Sequence, residues 1–194
     1  LGMESATDIV NTISILTRKP VFEIPTIPPS MPGRRLFNAL KKNFRQKGGV
    51  IYWAWPVAGT EKTGRVMEAV STNSAGRPNS INAKAFILGT GSFVGGGLTA
   101  TRETIEENVF NLPVHIPGPR ETWFDNDYFS RNHGIGKAGI MTDAFMRPLD
   151  SPWKNLFVCG SILAHSEVMK NGCGHGLGLA TGLAAAKSCK RYLS

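Results

Sequence analysis

The sequence has few cysteines and lacks the motifs that mark common metal and hydrolase sites. Its three cysteines, Cys159, Cys173 and Cys189, form no CxxC pair. A disulfide framework and a zinc site of the usual spacing are therefore excluded, and a reducing setting is favoured. There is no Walker A, HExxH or GxSxG motif, and the histidines at 115, 133, 165 and 175 show no metal-ligand spacing. We expect no metal site.

Long apolar runs and a signal peptide are also missing, although a membrane span needs about 20 apolar residues. The 194 residues are 41% hydrophobic and 19% charged, which is an ordinary balance for one large or two small globular domains. Acidic residues number only 14 against 22 basic ones, a formal charge of +8. That excess favours phosphates, nucleic acid or an acidic membrane surface without choosing among them.

The sequence contains one G-x-G-x-x-G pattern, formed by Gly134, Gly136 and Gly139. Such a pattern binds a dinucleotide when a strand precedes it and a helix follows. Here "FSRNH" precedes it, and Pro148 follows too soon for a helix. We interpret it as a glycine-rich loop that enters a strand.

Two helices are predicted in the first quarter of the chain, joined by an extended segment rich in proline. The first covers 8–16, and the second is capped by Ser30, has Pro32 in its first turn and ends after Lys47. One face of the second helix is apolar (Leu36, Phe37, Leu40 and Phe44) and the opposite face is basic (Arg34, Arg35, Lys41, Lys42 and Arg45). We interpret the basic face as solvated, with Arg35 as the exception.

Strand-like patterns follow. They predict strands within 50–54, 65–72, 81–91 and 155–161, with turns at 62–64 and 73–80. The residues from 98 to 150 are rich in proline, asparagine and aromatics, which indicates an inserted second subdomain. A helix over 174–193 closes the chain.

Five glycines, at 172, 174, 176, 178 and 182, lie in and around the start of this last helix. Glycine inside a helix costs about 0.5–1 kcal/mol relative to alanine, so a reason is needed. Small residues at 178, 180, 182 and 184–186 would let the helix pack tightly on a sheet. Glycines at 172, 174 and 176 would let a ligand approach the free N–H groups of the first turn. Both explanations stay open at this point.

Three segments together resemble the C-terminal half of flavoproteins with two dinucleotide-binding domains. They are "AFILGTGSF", "KAGIMTDAFMRP" and "NLFVCGSI" followed by "NGCGHGLGLATGLAAAK". Within that superfamily, the segment from Ile24 to Gly49 is similar to the B-subunit family of anaerobic glycerol-3-phosphate dehydrogenase. Gly33, Arg35 and Leu36 match its helix opening, and Gly172-Cys173-Gly174 match its glycine cluster. The resemblance extends from about Ile24 to Ala186.

This resemblance implies an α/β fold: the C-terminal part of a Rossmann-like FAD/NAD(P)-binding fold with an inserted β-rich cap. Residues 1–29 and 98–150 would form the cap or substrate subdomain, and 30–97 with 151–194 the flavin-binding part. Family members begin with a strand–GxGxxG–helix unit that this sequence does not have. We therefore expect a fragment of a longer protein that binds FAD or FMN weakly or not at all by itself.

The resemblance also implies the positions of the site residues. The flavin would contact three segments: Gly89, Thr90 and Gly91; Gly160 and Ser161; and Gly172, Cys173, Gly174, His175, Gly176 and Leu177. His175 is the candidate catalytic base, or a donor to reduced flavin, unless it is a capping or packing histidine. Arg35 and Arg147 are candidates for the substrate phosphate, since a guanidinium can bind two phosphate oxygens, and surface arginines otherwise. Cys173 is interpreted as a small packing residue rather than a redox thiol.

The function implied is oxidation of glycerol 3-phosphate to dihydroxyacetone phosphate by a flavoprotein subunit, with electrons passed toward quinone. Its partners would be a catalytic flavoprotein subunit and an iron–sulfur subunit, and its location cytoplasmic, at the inner face of the cell membrane through those subunits. The alternatives are a non-catalytic electron-relay or scaffold subunit and a fumarate-reductase-like or ketosteroid-dehydrogenase-like flavoprotein. A nucleic-acid-binding domain is disfavoured, because no aromatics are interleaved with the basic helix face.

Overall fold

The computed structural model describes residues 2–24, 30–74 and 76–194. The contacts divide the chain into two compact units, Leu1–Trp53 and Ala54–Ser194. Part of the predicted proline-rich extended segment, residues 25–29, lies outside the described residues.

The first unit consists of two helices, α1 (Ala6–Thr17) and α2 (Met31–Gln46). Ser30 caps α2 as predicted: its hydroxyl oxygen accepts a hydrogen bond of 3.3 Å from the Gly33 N–H. Gly48 takes a left-handed conformation (φ 83°) just after the helix ends. No residue of α1 or α2 is buried.

The strand predicted over residues 50–54 is wrong. This segment forms no strand, and Val50, Tyr52 and Trp53 are exposed. Aliphatic and aromatic residues raise the strand propensity of such a stretch, but a strand also needs a partner with which to share hydrogen bonds. The stretch therefore remains an exposed apolar segment after α2.

The second unit opens with an antiparallel meander of three strands, β1 (Val57–Thr63), β2 (Val66–Ser74) and β3 (Arg77–Asn82). Gly64 (φ 58°) forms the turn between the first two strands. The turn predicted over 73–80 is shorter than expected, because Gly76 (φ 75°) reverses the chain and β3 starts at once. Met67 in β2 is fully buried.

A parallel pair, β4 (Phe86–Leu88) and β7 (Leu156–Val158), forms the centre of the second unit. Both strands are short apolar runs; β7 is buried throughout, whereas Ile87 in β4 is exposed. The C-terminal helix α4 (Gly174–Leu193) contacts both strands and buries Ala185 completely. It begins and ends where the sequence predicted. The combination of mixed strands and helices is consistent with the predicted α/β class.

The residues between this strand pair contribute to the same core. The hairpin β5 (Leu98–Ala100) and β6 (Ile105–Glu107) is followed by loops and short 3-10 turns. Buried side chains from this region pack with those of the strand pair: Leu88, Leu98, Ile105, Leu112, Trp123, Ala138, Ile140, Leu156, Val158, Ile162 and Leu163. By its contacts, the chain divides after Trp53 and not at either end of the stretch from 98 to 150. The cap subdomain assigned to 1–29 and 98–150 stays a prediction.

Candidate functional site at the ends of the parallel strands

The carboxyl ends of β4 and β7 lie side by side, because the two strands are parallel neighbours. Two predicted cofactor segments leave the sheet here, Gly89 to Gly91 after β4 and Gly160 with Ser161 after β7. A Cβ atom placed on Gly91 would lie 3.5 Å from the Ser161 hydroxyl oxygen. The structure therefore brings these two segments together. Ligands of open α/β sheets bind at this edge.

The loop after β4 folds tightly onto itself. A Cβ atom on Gly95 would lie 2.6 Å from the Thr90 carbonyl oxygen, and one on Gly97 would overlap the Gly91 carbonyl oxygen. Side chains at these two positions would collide with backbone, so glycine is required. The Thr90 hydroxyl is buried here without a hydrogen-bond partner. Such an orphaned polar group is unusual in a protein interior.

Helix α4 is fixed to this edge by Thr181. The backbone N–H of Gly160 donates a hydrogen bond of 2.8 Å to Thr181 Oγ1, and that hydroxyl donates to the Leu177 carbonyl at 2.6 Å. Gly160 has a φ of 82°, so glycine suits the turn that presents its N–H to the helix. These hydrogen bonds thus join α4 to the end of β7 at one corner.

The glycines at the start of α4 face open space. A Cβ atom on Gly176, Gly178 or Gly182 would have no described atom within 4 Å beyond the helix itself. Tight packing is therefore not observed at Gly178, which is exposed, whereas Gly182 is half-buried. Ala185, three residues after Gly182 and seven after Gly178, is buried and Ala184 is half-buried, so the alanines make the contact with the strands. The explanation through approach of a ligand remains a prediction.

The other residues of this predicted segment surround the first turn of α4. Short helix α3 (Val168–Asn171) ends at Gly172, which has a left-handed φ of 60°. Cys173 occupies the N-cap position, and its side chain makes no capping hydrogen bond. His175 is exposed, whereas Leu177 is half-buried. The backbone N–H groups of this turn lie at the positive end of the helix dipole.

The two candidate phosphate-binding arginines have other partners. Arg35, in the first unit, donates hydrogen bonds to the Glu23 carboxylate and to the Gly2 carbonyl. Its guanidinium holds the pKa of Glu23 below the usual range. Arg147, in the second unit, is exposed, and its guanidinium lies 6.0 Å from the centre of the Phe157 ring. Their roles in substrate binding stay predictions.

A pair of histidines, His115 and His165, was not found from the sequence. Their ring centres are 4.6 Å apart. Gly139 lies between the segment of His115 and the segment of His165. It forms a β-bridge with His115, and a Cβ atom placed on Gly139 would lie only 2.6 Å from the backbone nitrogen of Ala164. His165 itself takes a left-handed φ of 59°. The 50 residues between His115 and His165 hide their pairing in the sequence. The one available signal was that His165 follows Ser161, a predicted flavin contact, by four residues.

The segment with the G-x-G-x-x-G pattern forms a 3-10 turn, Gly134–Lys137. Its last glycine, Gly139, is the residue that allows the backbone around Ala164 to approach closely. The described residues place no strand directly before the pattern and no α-helix after it until Val168. Its interpretation as a glycine-rich loop rather than a dinucleotide site agrees with this arrangement.

Cys159 lies at the end of β7, beside the β4 loop. A Cβ atom on Gly89 would lie 3.4 Å from its sulfur. Burial raises the pKa of the Cys159 thiol above its ordinary value, so the thiol form is favoured and a nucleophilic role is disfavoured. Across residues 2–24, 30–74 and 76–194, no group of three or more potential metal-ligating side chains occurs.

A groove lies at the opposite edge of the unit, at the carboxyl end of α4. It is lined by Val66, Met67, Glu68, Asn82, Ala83, Lys84, Tyr192 and Leu193. The groove contains none of the predicted cofactor residues. It shares no lining residue with the corner formed by Gly160 and Thr181.

Comparison with protein families identifies the family of the chain. A family model described as an FAD binding domain matches residues 1–177. The chain belongs to this FAD-binding family. The match includes all three predicted flavin segments, up to Leu177. The prediction of a flavoprotein with an FAD-binding domain is thereby confirmed.

Dehydrogenase subunits are among the curated relatives of this family member. The chain is 33% identical over 176 residues to the B subunit of anaerobic glycerol-3-phosphate dehydrogenase of Vibrio vulnificus, covering 88% of this chain and 40% of the relative. It is 30% identical to the Vibrio cholerae protein of the same name, covering 93% and 42%. A probable B subunit of the same enzyme from Halobacterium salinarum is 34% identical, at 85% and 39% coverage.

The predicted similarity to the B-subunit family is confirmed by these matches. The chain spans about 40% of the length of the curated relatives it matches. No solved structure matches the chain. In the described parts of this FAD-binding family member, no helix has the length and apolar character needed to cross a membrane.

Proposed function

We propose that this chain is part of a flavin-dependent dehydrogenase subunit that oxidises glycerol 3-phosphate to dihydroxyacetone phosphate. The observation that supports this most directly is the similarity to the B subunit of anaerobic glycerol-3-phosphate dehydrogenase over most of the chain, within an FAD-binding family. Electrons would pass toward quinone through a catalytic flavoprotein subunit and an iron–sulfur subunit. The protein would act in the cytoplasm, at the inner face of the membrane, through those partners.

The residues at the strand ends fit an FAD group. The Thr90 hydroxyl lacks a partner, and the space beside Gly176 and Gly178 contains no described side chain. Gly89 to Gly91 and Gly160 with Ser161 would contact the flavin through backbone and hydroxyl groups. The N–H groups of Gly174, His175 and Gly176 would donate to its electron-rich edge. FAD, when bound, supplies the hydride acceptor for alcohol oxidation.

The chain's own residues would perform three tasks in this reaction. The first turn of α4 would stabilise negative charge through its N–H groups and the helix dipole, which contributes about 0.3–2 kcal/mol. His175, exposed at this turn, would accept the hydroxyl proton of the substrate at an imidazole nitrogen. Arg147 or Arg35 would bind the phosphate, although Arg35 would first have to leave Glu23.

The experiment that tests this proposal uses the full-length protein assembled with its partner subunits. The flavin content after purification and the rate of dye reduction by glycerol 3-phosphate are measured for wild type and His175→Gln. We expect full flavin content and a rate at least about a hundredfold lower in the variant. An unchanged rate would remove His175 from the mechanism. If the flavin of this subunit is reduced only when the substrate site of the partner subunit is functional, this subunit is an electron relay instead.

A second variant tests the cofactor edge separately from the chemistry. Gly176→Ala introduces a methyl group where the chain itself leaves open space. It should stabilise α4 by about 0.5–1 kcal/mol, while weakening flavin binding in the full-length protein. Thermal unfolding and flavin content measure the two effects. If both stability and flavin content rise, the flavin does not approach the helix at this position.

A further inference from the structure

Helix α2 combines a basic face with an apolar face that the described residues leave exposed. It contains Arg34, Arg35, Lys41, Lys42 and Arg45, with Lys47 directly after it, and no acidic residue. The first unit as a whole has eight basic and three acidic residues. Phe37, Leu40 and Phe44 share the other face, and each is about half exposed.

Aromatic residues after the helix extend the same surface. The Trp53 ring meets the Phe37 ring at 5.9 Å in an edge-on arrangement, and Trp53 is also half exposed. Lys41 Nζ lies 4.9 Å from the centre of the Trp53 ring. This contact holds a cation directly beside the apolar face. Val50, exposed over two thirds of its surface, lies between the helix and Trp53 in the sequence.

These features favour one kind of occupant. An amphipathic helix with lysine and arginine on one face and phenylalanine, leucine and tryptophan on the other is suited to the surface of a bilayer. Tryptophan rings prefer the headgroup level of the membrane. The absence of acidic residues from α2 complements anionic lipid headgroups. A nucleic acid would need aromatics interleaved with the cations, and here the aromatics share a face with leucines.

We propose that α2 and Trp53 bind directly to an anionic lipid bilayer, with Phe37, Leu40, Phe44 and Trp53 inserted at the headgroup level. Lys41, Lys42 and Arg45 contact lipid phosphates beside them. The helix lies in the plane of the surface and does not span it. This contact is made by the chain itself, and so goes beyond membrane association through partner subunits. It does not depend on the proposed dehydrogenase activity.

The test measures binding of the full chain to sedimenting vesicles of phosphatidylcholine, with or without about 30 mol% phosphatidylglycerol. We expect binding to the anionic vesicles only, weakening as salt rises from about 50 to 500 mM. Equal binding to both vesicles, or no binding to either, overturns the proposal. Circular dichroism checks that each variant remains folded.

Two pairs of variants locate the contact. Lys42→Gln with Arg45→Gln should weaken vesicle binding about twenty-fivefold, at about fivefold per charge. The control is Lys187→Gln with Lys190→Gln, which removes two exposed lysines from α4 and should leave binding within about twofold. Leu40→Gln should weaken binding about tenfold, whereas Leu183→Gln, another exposed leucine, should not. Equal losses in variant and control contradict the proposal.

Tryptophan fluorescence reports the depth of insertion. Brominated lipids in the anionic vesicles should quench wild-type emission, and Trp53→Phe should lose a large part of that quenching while Trp153→Phe keeps it. Unchanged quenching in Trp53→Phe overturns the proposed insertion. A different outcome is that the chain self-associates in solution and that Leu40→Gln abolishes this self-association without changing vesicle binding. That result would assign the apolar face to a second copy of the chain and would also overturn the proposal.

Discussion

The side chain of Asn155 and the backbone of Met67 exchange two hydrogen bonds. The Met67 N–H donates to Asn155 Oδ1 at 3.0 Å, and Asn155 Nδ2 donates to the Met67 carbonyl at 2.7 Å. The same amide nitrogen donates to the Lys84 carbonyl at 3.1 Å. Asn155 is fully buried. A single side chain thus connects the antiparallel meander to the start of β7.

Replacement of Asn155 should destabilise the second unit strongly. Asn155→Leu has a similar volume but leaves the buried Met67 N–H and carbonyl unpaired, which should cost about 2–4 kcal/mol. Urea unfolding followed by circular dichroism measures the loss. The control is Asn79→Leu, at a half-buried position in the meander, which should cost less. A loss below about 0.5 kcal/mol in Asn155→Leu would contradict the connecting role.

The contact between Gly160 and Thr181 should matter for both stability and the position of α4. Thr181→Val keeps the shape but removes the acceptor of the Gly160 N–H, and should cost about 1–2 kcal/mol. Thr181→Ser keeps the hydroxyl and should recover most of that loss. Denaturant midpoints of the three proteins provide the comparison. Equal losses in both variants would mean that the methyl group, rather than the hydrogen bond, supports the corner.

Two glycines should respond in opposite directions to the same change. Gly97→Ala forces a methyl group against the Gly91 carbonyl, so we expect a loss of about 1–3 kcal/mol. Gly178→Ala meets no described atom and lies within α4, so we expect a gain of about 0.5–1 kcal/mol. Melting temperatures measure both effects. A gain in Gly97→Ala would show that the β4 loop does not pack as described.

The stability of the second unit should fall at alkaline pH through Cys159. Burial raises the pKa of its thiol, so the unfolded chain releases this proton at lower pH than the folded one. The contribution is present below the unfolded pKa, about 8.5, and is lost as pH rises through the folded pKa. Cys159→Ala should flatten the alkaline limb of the unfolding profile. Burial also raises the pKa of Cys189, so Cys189→Ala provides the comparison.

The sequence predicted α2 and α4 well because local signals determine helix ends. Ser30 and Pro32 marked one start, and the change from glycines to alanines marked the other. Strands were predicted less well, since the polar β1 shows little alternation and the apolar stretch from Val50 to Ala54 forms no strand. Whether a segment becomes a strand depends on its neighbour, which a single local window does not contain.

The candidate site shows the same limit. Gly89 to Gly91 and Gly160 with Ser161 were assigned to one flavin site through the family resemblance, and the structure brings them together at the ends of β4 and β7. His115 and His165 meet only through the bridge to Gly139, and no periodicity in the sequence links them. The pairing of Arg35 with Glu23 was missed for a similar reason, since the proline-rich segment between them has no regular pattern. Which small residues of α4 contact the strands also depended on tertiary packing, which the sequence does not show.

The pairing of β4 with β7 has a consequence for how the second unit folds. These strands are adjacent and parallel, yet the whole stretch from Gly89 to Asn155 lies between them in the chain. Closing so long a loop is entropically unfavourable until the intervening hairpin and turns have collapsed. We therefore expect slow refolding with a late transition state, in which Phe157 and Leu88 become protected from hydrogen exchange together.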